Sequence, residues 1–205
     1  MNVLASGAAG AGAIALLELD AASVGPFLLS RPVVIGPIIG WLAGSTSTGA
    51  VLGVVFEALS LADLPLGGGI DFSAPVAAGA AAFLAAGPLA LSWEAAFLTG
   101  LLAGWAHARV ERSLRRGRCA QARREETELA LGRPSRLGAE IAAALAVQAA
   151  GTFAVSFAAF VVVGPAAARL WPALPRVLQG GARAAFLAAP WLGAGGLAAS
   201  LWRRA

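Results

Sequence analysis

Glu57 is the one carboxylate deep in the second of two apolar runs between Arg31 and Ser73, and its spacing from neighbouring glycines gives it a definite place. The stretch Arg31 to Ser73 holds two apolar runs joined by Ser45-Thr46-Ser47-Thr48. Gly36, Gly40 and Gly44 recur every four residues in the first run; Gly49, Gly53 and then Glu57 do so in the second. At this interval a helix returns nearly to the same face, so each run presents a smooth stripe that another backbone can approach closely. Glu57 therefore lies on or near the glycine face, toward a close neighbour or a cavity. A charged side chain inside a membrane helix costs roughly 2.5–3.5 kcal/mol on insertion scales, so it is tolerated where a cavity or partner receives it. Two chemistries fit: a carboxylate accepting hydrogen bonds from a polar ligand such as a sugar, or a structural pair with a neighbouring helix. Ligand binding is the expectation.

Two further groups are candidates for the same site. Asp63, Gly67-Gly68-Gly69 and Asp71 form a loop after the second run, where glycines permit close approach of backbone N–H groups to a ligand and equally suit a plain turn. Asp20 either caps the segment that follows it or belongs to the site, and the cap is the simpler reading. Arg31-Pro32 reads as an interface anchor with proline opening a helix. His107 lies beside arginines at the end of an apolar segment and reads as an interfacial residue. The sequence contains no GxxxxGK[ST], HExxH, CxxC or GxSxG signature, so no ATPase, metalloprotease or hydrolase is indicated and no cofactor or metal is expected.

The elements that must position these groups are membrane helices. The chain has 205 residues, 59% hydrophobic and 13% charged, with a mean hydropathy of +0.77; a soluble domain carries about 25% charged residues. The expected fold is all-α, a polytopic transmembrane helical protein with an interrupted or re-entrant segment in each half. Residues 1–100 hold six carboxylates against Arg31 alone, whereas residues 109–136 hold nine arginines against four glutamates. Arginines gathered in one loop between apolar segments follow the positive-inside pattern and argue against nucleic acid as the partner. The single cysteine, Cys119, lies in that loop and has no internal disulfide partner.

In chain order, residues 2–17 make an apolar segment of marginal spanning length, and residues 1–20 are expected to stay in the mature protein because no basic region precedes the segment and no cleavage site follows it. Gly25-Pro26 marks a break. Pro32–Gly44 and Gly49–Ala62 each fall short of the ~20 residues needed to cross the hydrocarbon, so they read as a hairpin that enters the membrane or as a broken span. Conventional spans are expected over Ala74–Leu91 and Trp93–Ala108, with Trp93 and Trp105 as interfacial anchors, and the second is expected to lead directly into a helix over His107 to Arg116 that extends into the cytoplasm. A span over 137–164 is expected to break at Gly164-Pro165, followed by an irregular stretch to Gly181 and a last span over Ala182–Trp202. The organisation is one membrane domain: a first half 1–108, a cytoplasmic basic loop 109–136, and a second half 137–205 with its C-terminus inside.

The string SRPVVIGPIIGWLAGSTSTGAVLGVVFEALSL resembles the signature of the membrane IIC subunits of the mannose/fructose/sorbose class of the bacterial sugar phosphotransferase system. There an Arg-Pro opens an apolar run, a Gly-x-x-x-x-Gly turn follows, and a glycine-rich helix ends in Glu; here these fall on Arg31-Pro32, Gly44 to Gly49, and Glu57. LELDAASVGPFLLS is similar to the family's Leu-Asp element and places its Asp on Asp20. LPRVLQGGARAAF resembles a second-half element, on Pro175, Val177 and Gly181. The resemblance implies a non-enzymatic, sugar-translocating subunit in the bacterial inner membrane. Its implied partners are a membrane IID subunit, cytoplasmic IIA and IIB phosphocarriers that phosphorylate the sugar, and further copies in a homo- or hetero-oligomer. The implied substrate contacts are Glu57, Asp63, Gly67, Gly68, Asp71 and Asp20. Departures are Asp71-Phe72-Ser73, where many members have Pro-Asp or Pro-Asn, and an end at Ala205, where typical members continue. The other function considered is a non-transporting membrane scaffold or regulatory subunit with the same fold.

Overall fold

The computed structural model describes residues 3–20, 28–62, 72–132 and 137–202. Among the described residues every regular element is helical and there is no strand. The elements are α1 (Val3–Leu19), α2 (Pro32–Ala43), α3 (Thr46–Leu59), α4 (Ala74–Ala86), α5 (Trp93–Ala130), α6 (Leu137–Ala158), a π-helical segment (Ala159–Val163), α7 (Gly164–Leu170) and α8 (Arg176–Trp202).

α2 and α3 form the predicted hairpin. Pro32 occupies the first turn of α2, where its missing N–H would have had no helical partner anyway. Gly44 closes the helix at φ 118°, a left-handed conformation that glycine adopts without steric cost, and its N–H returns to the carbonyl of Gly40 at 2.9 Å. Ser45 then caps α3: its Oγ accepts from the N–H of Thr48 at 3.3 Å and pairs with Thr48 Oγ1 at 2.9 Å. The glycine stripes of the two helices face each other. A Cβ on Gly40 would stand 2.7 Å from Gly49 Cα and 2.6 Å from Ser45 O, and a Cβ on Gly53 would stand 2.5 Å from Pro32 O. With 12 and 14 residues, the helices are about 18 and 21 Å long at 1.5 Å per residue.

α4 is the buried centre. Val76 to Ala82 are inaccessible to solvent, and α2, α3 and α5 pack around it. Its small side chains allow Gly100 and Gly104 of α5 to sit against its backbone; a Cβ on Gly100 would lie 2.6 Å from Ala77 O, and one on Gly104 2.7 Å from Ser73 O. The span expected over Ala74–Leu91 is shorter than predicted. Its helix ends at Ala86 because Gly87 precedes Pro88, whose ring disfavours helical backbone at the residue before it; Gly87 is extended at ψ −165°.

α5 continues past the span expected to end at Ala108, as the helical extension expected through Arg116 requires, and runs 38 residues to Ala130, about 57 Å. Most of the basic segment 109–136 is therefore a helical arm, and the expectation of a loop is corrected for 117–130. The arm contains no proline, and side chains one turn apart support it, as in the 2.8 Å bond from Arg115 Nε to Glu111 Oε1. The helix ends just before Gly132, at φ 72°.

Gly164-Pro165 does not break the second half. Proline removes one N–H and crowds the carbonyl four residues back, but the preceding turn widens to π-helical spacing, with the N–H of Gly164 reaching the carbonyl of Ala159. Helix thus runs from Leu137 through Leu170. The actual interruption covers 171–175, where Leu174 is extended ahead of Pro175, and α8 starts at Arg176 rather than Ala182. Leu137–Ala173 and Arg176–Trp202 are long and apolar enough to cross a membrane, with only 28% and 17% of their most apolar windows buried. Trp191 is 79% exposed, and Val162 and Leu192 are also on the outside. α6 packs on α1 and α8 on α3, so the two halves of the chain share one body.

The hairpin contact gives opposite expectations for two glycines. Gly49→Ala puts a methyl against the backbone of Gly36 and Gly40 and should destabilise by about 1–3 kcal/mol. Gly180→Ala meets nothing within 4 Å and should be neutral or stabilise by up to about 1 kcal/mol, the helix preference of alanine over glycine. Denaturation in detergent compares the two; equal stability of both variants would contradict the close contact.

Candidate functional site

The predicted site lies at the open end of the hairpin. Glu57, in the last turn of α3, meets the start of α2: Arg31 donates from a guanidinium nitrogen to Oε1 at 3.3 Å, and the N–H of Val33 donates to Oε2 at 3.4 Å. The glycine spacing placed Glu57 on the correct face. Its neighbour there is the positive end of the α2 dipole, which favours a carboxylate. Arg31, read from sequence as an interface anchor, is instead the partner of Glu57. The Arg31 side chain is 57% and that of Glu57 22% exposed, and a pair so open to its surroundings contributes about 0–1 kcal/mol. Both side chains therefore remain accessible to a ligand. Asp20 is buried, and its Oδ2 accepts from the N–H of Ser30 at 3.3 Å, which holds the backbone leading into α2. Asp63, Gly67, Gly68 and Asp71 lie outside the described residues.

A second polar cluster, which the sequence reading missed, joins α1, α5 and α6. Gln148 Nε2 donates to both oxygens of Glu18, at 3.4 and 3.2 Å, and Thr152 Oγ1 approaches Glu18 Oε2 at 3.1 Å. His107 Nε2 lies 2.9 Å from the same threonine oxygen. Every acceptor near that hydroxyl competes for its single hydrogen, so His107 is the donor and carries its proton on Nε2. Gln148 Oε1 accepts from Arg118 at 2.6 Å, and Arg118 also donates to Glu111 Oε1 at 2.7 Å. His107 is 1% exposed, which corrects its reading as an interfacial residue: α6 covers this face of α5 and supplies Thr152. His107 Nδ1, Glu111 Oε2 and Ser156 Oγ are buried without a hydrogen-bond partner among the described residues.

The signal for this cluster was present in the sequence. Gln148, Thr152 and Ser156 recur every four residues and form a polar stripe along the otherwise apolar α6; His107, Glu111 and Arg115 do the same along α5. Glu111 lies on the arm. Burial opposes its ionisation, but the hydrogen bond from Arg115 and the charge of Arg118 outweigh it and hold the carboxyl below its ordinary range. Beside Arg118, a groove of about 600 Å³ opens between the arm and the start of α6, lined in part by Gln121, Arg124, Glu125 and Glu140. Among the described residues no group of three or more His, Cys, Asp or Glu is placed to hold a metal ion. The cluster's chemistry is that of a three-helix tie running through Glu18, Gln148, Thr152 and His107, with His107 Nδ1, Glu111 Oε2 and Ser156 Oγ left outside it.

Thr152→Val keeps the shape but removes the hydroxyl that joins His107 to Glu18. Leaving the imidazole N–H buried without an acceptor should cost about 1–3 kcal/mol. Ser156→Ala, which removes a hydroxyl with no partner among the described residues, should cost less. Unfolding curves for the two variants test this order, and a reversed order would show that Thr152 does not carry the tie.

Comparison with protein families, with curated proteins and with solved structures returns no match for this chain.

Proposed function

We propose that the chain is a sugar-translocating membrane subunit, the IIC component of a phosphoenolpyruvate-dependent sugar phosphotransferase system of the mannose/fructose/sorbose class. In this reading it is a multi-pass protein of the bacterial inner membrane, with the arm and the C-terminus in the cytoplasm. The observation that carries the proposal is the glycine-zipped hairpin α2–α3 with an accessible carboxylate at its open end. Helices of about 20 Å cannot cross a hydrocarbon core of about 30 Å. Their ends fall at a depth where polar groups are tolerated only against protein or in a water-filled cavity, which is where transporter substrate sites are built from interrupted helices. Glu57 offers acceptor oxygens and Arg31 offers donors, and a sugar hydroxyl both donates and accepts. The sugar is phosphorylated by IIA and IIB partners and not by this chain. A IID subunit or lipid covers the exposed apolar sides of α6 and α8.

Two experiments test the assignment. Glu57→Gln keeps the volume but loses the charge, and should reduce uptake of mannose, fructose or sorbose by membranes that also contain the IID, IIA and IIB partners. Each charge-assisted bond weakened to a neutral one accounts for up to about 1.5–3 kcal/mol, while membrane insertion and complex assembly should be undiminished. Normal uptake with failed assembly would instead identify Glu57 as a structural partner and favour the scaffold reading. Cys119, exposed on the arm, should react with a membrane-impermeant thiol reagent only from the cytoplasmic side, because nine arginines between 109 and 136 resist translocation. Labelling from outside intact cells would reverse the orientation.

A further inference from the structure

We propose that one face of α5 is a binding site for the phosphate headgroup of an anionic phospholipid. The inference rests on the membrane placement of the chain and is independent of the sugar assignment. Leu98, Leu102, Trp105, Arg109, Arg112 and Arg116 follow one another at intervals of four, three, four, three and four residues along the continuous helix α5. At about 100° per residue all six fall on one face. The first three are large exposed apolar side chains; the last three are arginines that, with Ser113, line a concavity of about 350 Å³. The change from apolar to basic occurs within one turn, and it is bridged by the guanidinium of Arg109 stacked on the Trp105 ring, 4.1 Å from its centroid.

This order along one face matches a phospholipid: acyl chain beside Leu98 and Leu102, glycerol level at Trp105, phosphate among the arginines. The other arginines of the arm base are used elsewhere. Arg115 and Arg118 are committed to Glu111, which is itself buried and turned away from this face. Among the described residues, Arg109 and Arg116 have no carboxylate partner. A general excess of positive charge needs neither the shared face nor the concavity.

The test titrates the purified full chain in detergent with phosphatidylglycerol or phosphatidylcholine and counts bound lipids by native mass spectrometry. The unsubstituted protein should retain phosphatidylglycerol in preference. Arg109→Gln/Arg116→Gln should lower that preference by roughly thirty-fold, and Arg116→Gln alone by roughly five-fold, given the usual attraction of a surface arginine to an anionic leaflet. Arg123→Gln/Arg124→Gln, an equal change in charge farther out on the arm, should leave the preference unaltered. Equal loss in both double variants, or none in the first, would overturn the site. Inorganic phosphate is the competing probe: if it displaces the lipid one for one at millimolar concentration, the arginines hold a free anion, and the lipid assignment fails.

Discussion

The contact of backbone with backbone between α2 and α3 is the constraint on which the rest of the bundle depends. Gly36 and Gly40 meet Gly49 and Gly53 so closely that a methyl group on any of them would collide with main-chain atoms of the opposite helix. In a lipid setting helices gain little from hiding apolar side chains from one another, so such close van der Waals packing becomes a main source of association. Because the hairpin is thin, α4 lies against both of its helices. The same device recurs where Gly100 and Gly104 of α5 meet α4, and where Gly193 of α8 meets the backbone at Ala58 and Leu59. The bundle is built largely from small residues, with a few aromatic rings such as Phe56, Phe83 and Phe160 filling the remaining space.

The junction of α1 with α5 and α6 uses another chemistry. Here Glu18, His107, Gln148 and Thr152 join three helices through polar groups, all buried. A buried hydrogen bond contributes about 1 kcal/mol net, so the junction's value lies as much in fixing register as in strength. One residue out of register on α6 would turn Gln148 and Thr152 away from Glu18, leaving its carboxylate unpaired. Arg118 extends the tie to the arm, so the base of the arm and the C-terminal end of α1 are held by one connected set of hydrogen bonds.

What could be read from the sequence was what local spacing determines. The glycine interval gave both faces of the hairpin, the serine-threonine turn gave the cap of α3, and the interval from Gly53 placed Glu57. The partner of Glu57 was not legible in the same way, because Arg31 lies 26 residues away and is brought close only by the hairpin. Hydropathy alone runs past the end of α4, which Gly87-Pro88 marks, and Pro165 does not break its helix because a widened turn absorbs the missing donor. His107 was misplaced because its burial depends on which face of α6 lies opposite, a long-range fact. The four-residue polar stripe on α6 would have indicated it.

α5 has one property that follows from its continuity. It is clamped at Gly100 and Gly104 against the buried α4 and projects as an unbroken helix to Ala130. Beyond Gly104 it is tied to α6 through His107 and Arg118, so only the part from 118 to 130, about 18 Å, extends past the last of these ties. A tilt of about 5° at Arg118 carries the tip through roughly 1.6 Å by the same geometry. Contact at the tip therefore bears first on Arg118 and, through Gln148, on Glu18 of α1.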